Sequence, residues 1–133
     1  MKDNSFNTEL DLLTDVALDV SESANSLTVL IKHDYYSSDN DNGRALLDSF
    51  LDGLTLSADR IHMIIITDSA VRLIESSDKL QSLIPLVNKT LICSDSASYY
   101  GVSVPDLGDK LTSVHMTEIT DLIIETRPEL ILE

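Results

Sequence analysis

Three short runs of β-branched and other apolar residues constrain the fold of this chain more than any other feature of its sequence. They are Leu27–Ile31, Ile61–Ile66 and Lys89–Cys93. None alternates cleanly between apolar and polar residues, and strands that are buried on both faces have this pattern. The runs therefore predict parallel strands in a sheet that is covered by helices on both sides.

The segments between the predicted strands have the spacing of amphipathic helices. A helix is predicted over about 77–87, where Pro85 should kink or shorten it, and another over 116–126, after a fourth strand over 112–115. Alternating strands and helices joined by right-handed crossovers predict an α/β three-layer sandwich with a mostly parallel sheet of four or five strands. The first crossover helix is predicted from the apolar stripe of Leu46, Leu47, Phe50, Leu51 and Leu54.

The two ends of the chain allow more than one interpretation. Residues 1–26 are predicted to be an N-terminal extension, followed by one α/β domain over 27–133. Residues 129–133 either add a short terminal strand or fray. The extension fits a helix or an edge strand, on the spacing of Leu10, Leu13, Ala17 and Val20 or of Val16, Leu18 and Val20.

Charge and composition narrow the class of protein. The 133 residues include 23 acids and 9 scattered bases, which gives a formal net charge of −14. Because this charge repels nucleic acid and anionic membranes, we expect neither as a partner. The first residues contain no continuous apolar stretch, so we expect no signal peptide and no membrane span, and a cytoplasmic protein.

Metal and disulfide chemistry are also restricted by the sequence. Cys93 is the single cysteine, which excludes an internal disulfide and a cysteine zinc cluster. The stretch Asp39–Gly43 resembles half a calcium loop, but the ligand register fails, because Ser38 and Ser49 stand where carboxylates belong. We therefore expect neither a bound metal nor a cofactor.

Polar residues follow the carboxyl ends of all four predicted strands. Parallel strands end at one edge of a sheet, so these residues should share a rim. A thiol, an imidazole and a carboxylate could there form an activated nucleophile or a zinc site. The alternatives are that Cys93 packs as a small hydrophobe and that the polar residues simply begin loops. The rim residues are His33, Asp34, Thr67, Asp68, Ser69, Cys93, Ser94, Asp95 and His115.

Four stretches between Leu27 and about Thr126 carry a family resemblance. Their order resembles that of the DsrE-like family. It runs from a glycine-led helix through a strand that enters a Ser-containing turn to a cysteine segment ending in Tyr-Tyr-Gly, and then to a closing strand. The similarity is closest to the DsrE-like domain of YedF-type proteins, which are associated with sulfur and selenium metabolism. It implies that family's fold and a homo-oligomer. The stretches are Asn42–Leu51, Ile64–Leu73, Leu91–Val102 and Val114–Ile119.

The departures from the family pattern fall mainly on the rim. The resemblance implies that Cys93, at the first position of the family's cysteine pair, carries sulfur as a persulfide. We expect His115 or the backbone amides of the local helix to act as helpers. Ser96 replaces the second cysteine, so no disulfide or thiol relay can form within the pair. The implied pocket consists of Asp68, Ser69, Ser94, Asp95 and Ser96. Of these, Asp68 replaces asparagine and Ser94-Asp95 replaces Gly-Thr, while Ala70 replaces glycine and His115 replaces asparagine.

Two functions follow from this comparison as expectations. The first is a DsrE-like protein of sulfur or selenium metabolism, a single-cysteine persulfide carrier of the sulfurtransferase kind, with a sulfur-relay protein as partner. The alternative is a non-catalytic oligomeric module for binding or assembly that keeps the fold without the family chemistry. A carrier needs a reachable sulfur atom, so we predict that Cys93 reacts with a maleimide in the native protein.

Overall fold

A five-stranded parallel sheet forms the centre of the computed structural model, which describes residues 27–132. The strand order across the sheet is β4-β3-β2-β1-β5, and every neighbouring pair is parallel. The predicted α/β class and the mostly parallel sheet are confirmed. The strands are β1 (Leu27–Ile31), β2 (Ile61–Ile66), β3 (Lys89–Cys93), β4 (Leu111–Val114) and β5 (Leu130–Leu132).

Five α-helices connect these strands, together with short 3₁₀ turns. The longest, α1, begins after Asn40, whose side-chain oxygen accepts a hydrogen bond from the Gly43 N–H at 2.8 Å. Pro85 lies in the 3₁₀ turn Ile84–Leu86 that follows α3, so the predicted shortening of that helix is confirmed. The helices are α1 (Asp41–Leu56), α2 (Leu73–Ser76), α3 (Asp78–Leu83), α4 (Ser94–Tyr100) and α5 (Met116–Thr126).

The two faces of the sheet are covered differently. Crossovers from β1 to β4 all step in one direction, and right-handed crossovers then place α1 and α3 on one face. Their buried leucines pack with Val29 and Ile31 in the larger core cluster. The connection from β4 to β5 steps back across the sheet, which puts α5 on the other face, where Ile119 packs with Leu30 and Ile65.

Some predicted details differ in the structure. β4 ends at Val114, and His115 is the residue that caps α5 rather than the last residue of the strand. Leu46 is exposed, because the buried stripe of α1 passes through Leu47, Leu51 and Leu54. The alternatives for residues 1–26 lie outside the described residues. Between residues 27 and 132, no helix has the length and apolar character needed to cross a bilayer.

Candidate functional site

At the carboxyl edge of the sheet, the chain leaves the neighbouring strands β3 and β4 towards opposite faces. After β3 the chain enters α4, which leads towards the face that carries α1, and after β4 it enters α5 on the opposite face. Adjacent strands whose connections leave to opposite faces form a topological switch point, where open α/β sheets bind ligands. Cys93 pairs with Val114 at this position, so the single thiol lies at the switch point.

The Cys93 thiol is buried. The residue is 1% exposed and belongs to the core cluster that contains Leu91 and Ile119. Its Sγ accepts a hydrogen bond from the Ser96 N–H at 3.4 Å, in the first turn of α4. The prediction of an accessible thiol is therefore wrong for this structure. The physical reason is the alternation of β3, which directs Cys93 to the same face as Leu91, and α5 covers that face.

Ser94, Asp95 and His115 form one polar group above this thiol, at the start of α5. The His115 Nδ1 lies 3.2 Å from the Ser94 Oγ and 3.4 Å from the Asp95 Oδ1. The Met116 N–H donates to the other oxygen of Asp95 at 2.8 Å. This hydrogen bond, followed by the one from His115, holds the pKa of Asp95 below its ordinary value.

His115 and Asp95 stabilise the start of α5. Both oxygens of the Asp95 carboxylate are directed at α5 and its capping residue, and the His115 N–H donates to the Glu118 Oε1 at 3.2 Å. The hydrogen bonds of the described residues do not connect His115 with Cys93. The structure thus brings three predicted site residues together and leaves the thiol without a side-chain base.

A second polar group joins the ends of β2 and β3. The Asp68 N–H donates to the Ser96 Oγ at 2.9 Å, and the Tyr100 hydroxyl donates to the Asp68 Oδ1 at 3.1 Å. Partial burial, and then the hydrogen bond to Asp68, raises the pKa of Tyr100. Asp68 has a φ of 53°, in the left-handed region where aspartate and asparagine are the most tolerated non-glycine residues. Ser69 is also part of this edge, since its Oγ accepts the Asp34 N–H at 3.2 Å.

Arg72 completes the second group and was not predicted from the sequence. Its guanidinium forms an ion pair with Asp34 at 3.1 Å and lies 4.8 Å from the centre of the Tyr100 ring. Only weak signals for these contacts were present in the sequence. Arg72 is one of few bases in an acidic chain and follows the end of β2 by six residues, and Tyr100 belongs to the Tyr-Tyr-Gly ending. Of the other rim residues, His33 stacks on Tyr35, with ring centres 4.7 Å apart, and Thr67 is buried and donates its N–H to the Ile31 carbonyl at 3.0 Å.

Taken together, the side chains of the rim form two groups of hydrogen bonds at the strand ends. The polar side chains predicted for the pocket bond to one another or to backbone N–H groups. Among residues 27–132, no group of three or more histidine, cysteine or acidic side chains is placed to hold a metal ion. Among the described residues, no side-chain acid or base lies within hydrogen-bond reach of the Cys93 sulfur atom, as proton transfer to or from it would need.

One comparison with a solved structure supports the α/β fold. No protein-family model matches the chain, and no curated protein matches it. A conserved protein of unknown function from Bacteroides thetaiotaomicron, BT1422, is similar in structure with a TM-score of 0.51 and 20% sequence identity, over 83% of this chain and 96% of that one. A protein of unknown function from Methanobacterium thermoautotrophicum, MTH1491, has a TM-score of 0.48 and 19% identity, over 74% of this chain and 93% of that one.

Proposed function

We propose that this chain is a DsrE-like protein that works as a non-catalytic oligomeric module for binding or assembly. The observation that carries the proposal is the burial of Cys93, the single thiol, at 1% exposure beneath α5. A sulfur atom that accepts or donates sulfane sulfur must meet a second sulfur atom directly. In this structure Ile119 and the strand residues around Cys93 occupy the space that a donor would need.

The rim supports the same proposal. The negative charge of Asp95 disfavours a thiolate nearby, and its carboxylate accepts the Met116 N–H at the N-terminus of α5. Ser96, at the position of the family's second cysteine, accepts the Asp68 N–H. These bonds stabilise the strand ends and α5. Asp95 and Ser96, which depart from the family pattern, therefore act as structural contacts. Such contacts are expected of a domain that works through its surface and not through its thiol.

Apolar side chains on the face of α5 favour an assembly role. Ile124 is 67% exposed on α5, and Ile131 is 44% exposed on β5, where it alternates with the buried Leu132. Met116 is exposed at the start of the same helix. Exposed apolar groups that share a face of a small domain are typical of protein–protein contacts. A homo-oligomer remains our prediction, and sedimentation over micromolar concentrations tests it, because a monomer throughout would contradict it.

Intact-mass measurement tests the absence of thiol chemistry. The native protein is incubated with sodium polysulfide and compared with the same protein in denaturant. We expect the native chain to keep its mass and the unfolded chain to gain one sulfur atom at Cys93. A gain of sulfur by the native protein, at a rate matching that of the unfolded one, would show that the thiol is reachable and would overturn the proposal.

The persulfide carrier is the second candidate, and one observation favours it. The Cys93 Sγ lies at the carboxyl end of β3 and receives the Ser96 N–H, which is the arrangement that an anionic sulfur needs from its protein. In that function the thiolate would attack the terminal sulfur of a donor, keep it as a persulfide and release the donor's thiolate, before passing the sulfur to a relay protein. It requires an opening of α5 that uncovers the sulfur atom.

A further inference from the structure

A groove remains on the face of the sheet that carries α5. The helix returns from β4 to β5 across the sheet, so one helix cannot cover the full width of five strands. Parts of β2, β3 and β4 are left uncovered beside it, and the space there amounts to about 490 Å³. Within residues 27–132 no side chain fills this space. Its floor and near wall are formed by Met63, Leu91, Val114 and Leu122.

The charges around this groove are uneven. Glu118 and Asp121, one turn apart on α5, form a carboxylate wall along the apolar floor. Lys89 supplies the one ammonium group of the lining, at the amino end of β3, and His62 on that side lies 3.2 Å from the Asn88 side chain. The groove therefore combines an apolar floor with a local excess of negative charge, in a chain whose net charge is −14.

Charge decides between the occupants that could cover an apolar groove of this kind. Residues 1–26 enter β1 next to β2, but they carry six acids and one base, so their charge is of the same sign as the wall. A second copy of the chain would set its own excess of acids against the carboxylate wall, so we expect the predicted homo-oligomer to form through exposed apolar residues such as Ile124 and Ile131 and to leave the groove open. A basic partner gains from the wall and from the field of the whole protein. The acids of the extension are Asp3, Glu9, Asp11, Asp15, Asp19 and Glu22, against Lys2.

We propose that the groove between α5 and strands β2–β4 binds a basic amphipathic helix of a partner protein. The apolar stripe of that helix would pack on the half-buried Val114 and Leu122, over a floor formed by the buried Met63 and Leu91. Its lysine or arginine residues would pair with Glu118 and Asp121. α5 is 11 residues long, about 16 Å, which matches three turns of a helix lying along it. This inference rests on the proposed function, because it names the partner of the binding module.

A direct binding measurement tests the groove. The probe is a fluorescein-labelled peptide of about 15 leucine and lysine residues with its leucines at helical spacing, titrated with the full chain by fluorescence anisotropy. A peptide of the same composition in scrambled order controls for charge alone, and a leucine–glutamate peptide controls for apolar contact alone. We expect the first peptide to bind at least about tenfold more tightly than either control. Equal binding of the scrambled or the acidic peptide would overturn the proposal.

Matched variants localise the binding. Glu118→Gln with Asp121→Asn should weaken it about fivefold, as expected for two exposed ion pairs, whereas Asp48→Asn with Asp59→Asn, which changes the net charge equally away from the groove, should leave it within twofold. Thr112→Lys, a half-buried position in the groove, should weaken it about tenfold at an unchanged melting temperature. Equal weakening by both double variants, or no effect of Thr112→Lys, would overturn the proposal.

The remaining outcomes are distinguishable. If sedimentation shows a dimer that Thr112→Lys dissociates, the groove is an interface between copies and the basic-partner proposal is wrong. Failure of all peptide binding would also overturn it, but would leave the proposed non-catalytic function in place. A sulfur adduct on Cys93 in the native protein would overturn the proposed function while leaving the groove measurements unchanged.

Discussion

Gly43 is the position at which the structure gives the sharpest prediction. It is the third residue of α1, and a Cβ atom built there would lie 1.8 Å from the backbone oxygen of Ser38 and 2.8 Å from its carbonyl carbon. These neighbours are backbone atoms, so the loop before α1 has to move by more than 1 Å to reach an ordinary contact. We therefore expect Gly43→Ala to be destabilising although alanine has the higher helix propensity.

The magnitude follows from the contacts that the loop would lose. The Asn40 cap on the Gly43 N–H contributes about 1 kcal/mol, and the 2.9 Å hydrogen bond from the Tyr36 N–H to the Gly43 carbonyl contributes about 1 kcal/mol. Residual strain adds about 1 to 2 kcal/mol, and the alanine propensity offsets about 1 kcal/mol. The free energy of unfolding should fall by about 2 to 3 kcal/mol, which lowers the melting temperature by roughly 10 °C.

Gly53 provides the matched control in the same helix. A Cβ atom there meets nothing within 4 Å, so Gly53→Ala should raise the free energy of unfolding by up to about 1 kcal/mol. Urea unfolding of both variants, followed by circular dichroism, measures the difference. If Gly43→Ala is as stable as the wild type, the close approach of the loop to α1 is not real. The placement of Asp34 and its ion pair with Arg72 at the rim would then also be in doubt.

Three further predictions concern the core and the rim. Ile119→Ala should open space over the thiol and speed the maleimide labelling of Cys93 in the native protein. Leu54→Ala lowers stability by a comparable amount, about 3 kcal/mol, but lies in the other core cluster and should not change the labelling rate. Equal rates in both variants would mean that labelling reports global unfolding. Thr90 is fully buried, and its hydroxyl has no hydrogen-bond partner within the described residues. Thr90→Val should therefore raise the urea midpoint by the equivalent of about 1 kcal/mol. A lower midpoint would mean that the hydroxyl is hydrogen-bonded. The folded-state pKa of Asp95 lies below its ordinary value of 3.8, so the stabilisation by its carboxylate is present above that pH and is lost as the pH falls through the folded pKa. The loss of stability caused by Asp95→Asn should therefore be larger at pH 6 than at pH 2. A loss that does not change with pH would contradict the capping of α5.

The strands were predictable because their signal is local. Leu27–Ile31 and Ile61–Ile66 are buried along nearly their whole length, and a continuous apolar run without alternation has that consequence in a parallel sheet. The end of β4 was predicted one residue too late. His115 follows Val114 with an extended backbone, but it caps α5, and the carboxylate of Glu118 that accepts its N–H was visible in the sequence three residues later.

The sequence around Cys93 left both a reachable thiol and a thiol packed as a small hydrophobe open, and the structure contains the second. The exposure of Cys93 depends on which face of β3 it occupies and on whether a later helix covers that face, and the second condition is set by the step from β4 back to β5. The Arg72–Asp34 pair was missed for a similar reason, because two loops 38 residues apart meet only when β1 and β2 are neighbours. Long-range topology thus decides the site, while short-range patterns decide the strands that carry it.

The position of β5 beside β1 has a consequence for how the chain is made. The side chain of Glu129 accepts the Thr28 N–H across 101 residues of sequence, so this edge of the sheet is closed only after residue 129 has been synthesised. Until then β1 presents an unpaired apolar strand edge, which is a template for adding strands from other chains. A nascent or truncated chain that stops before Leu130 should therefore aggregate at this edge, and a chaperone that shields β1 during synthesis would act at the most vulnerable point of the fold.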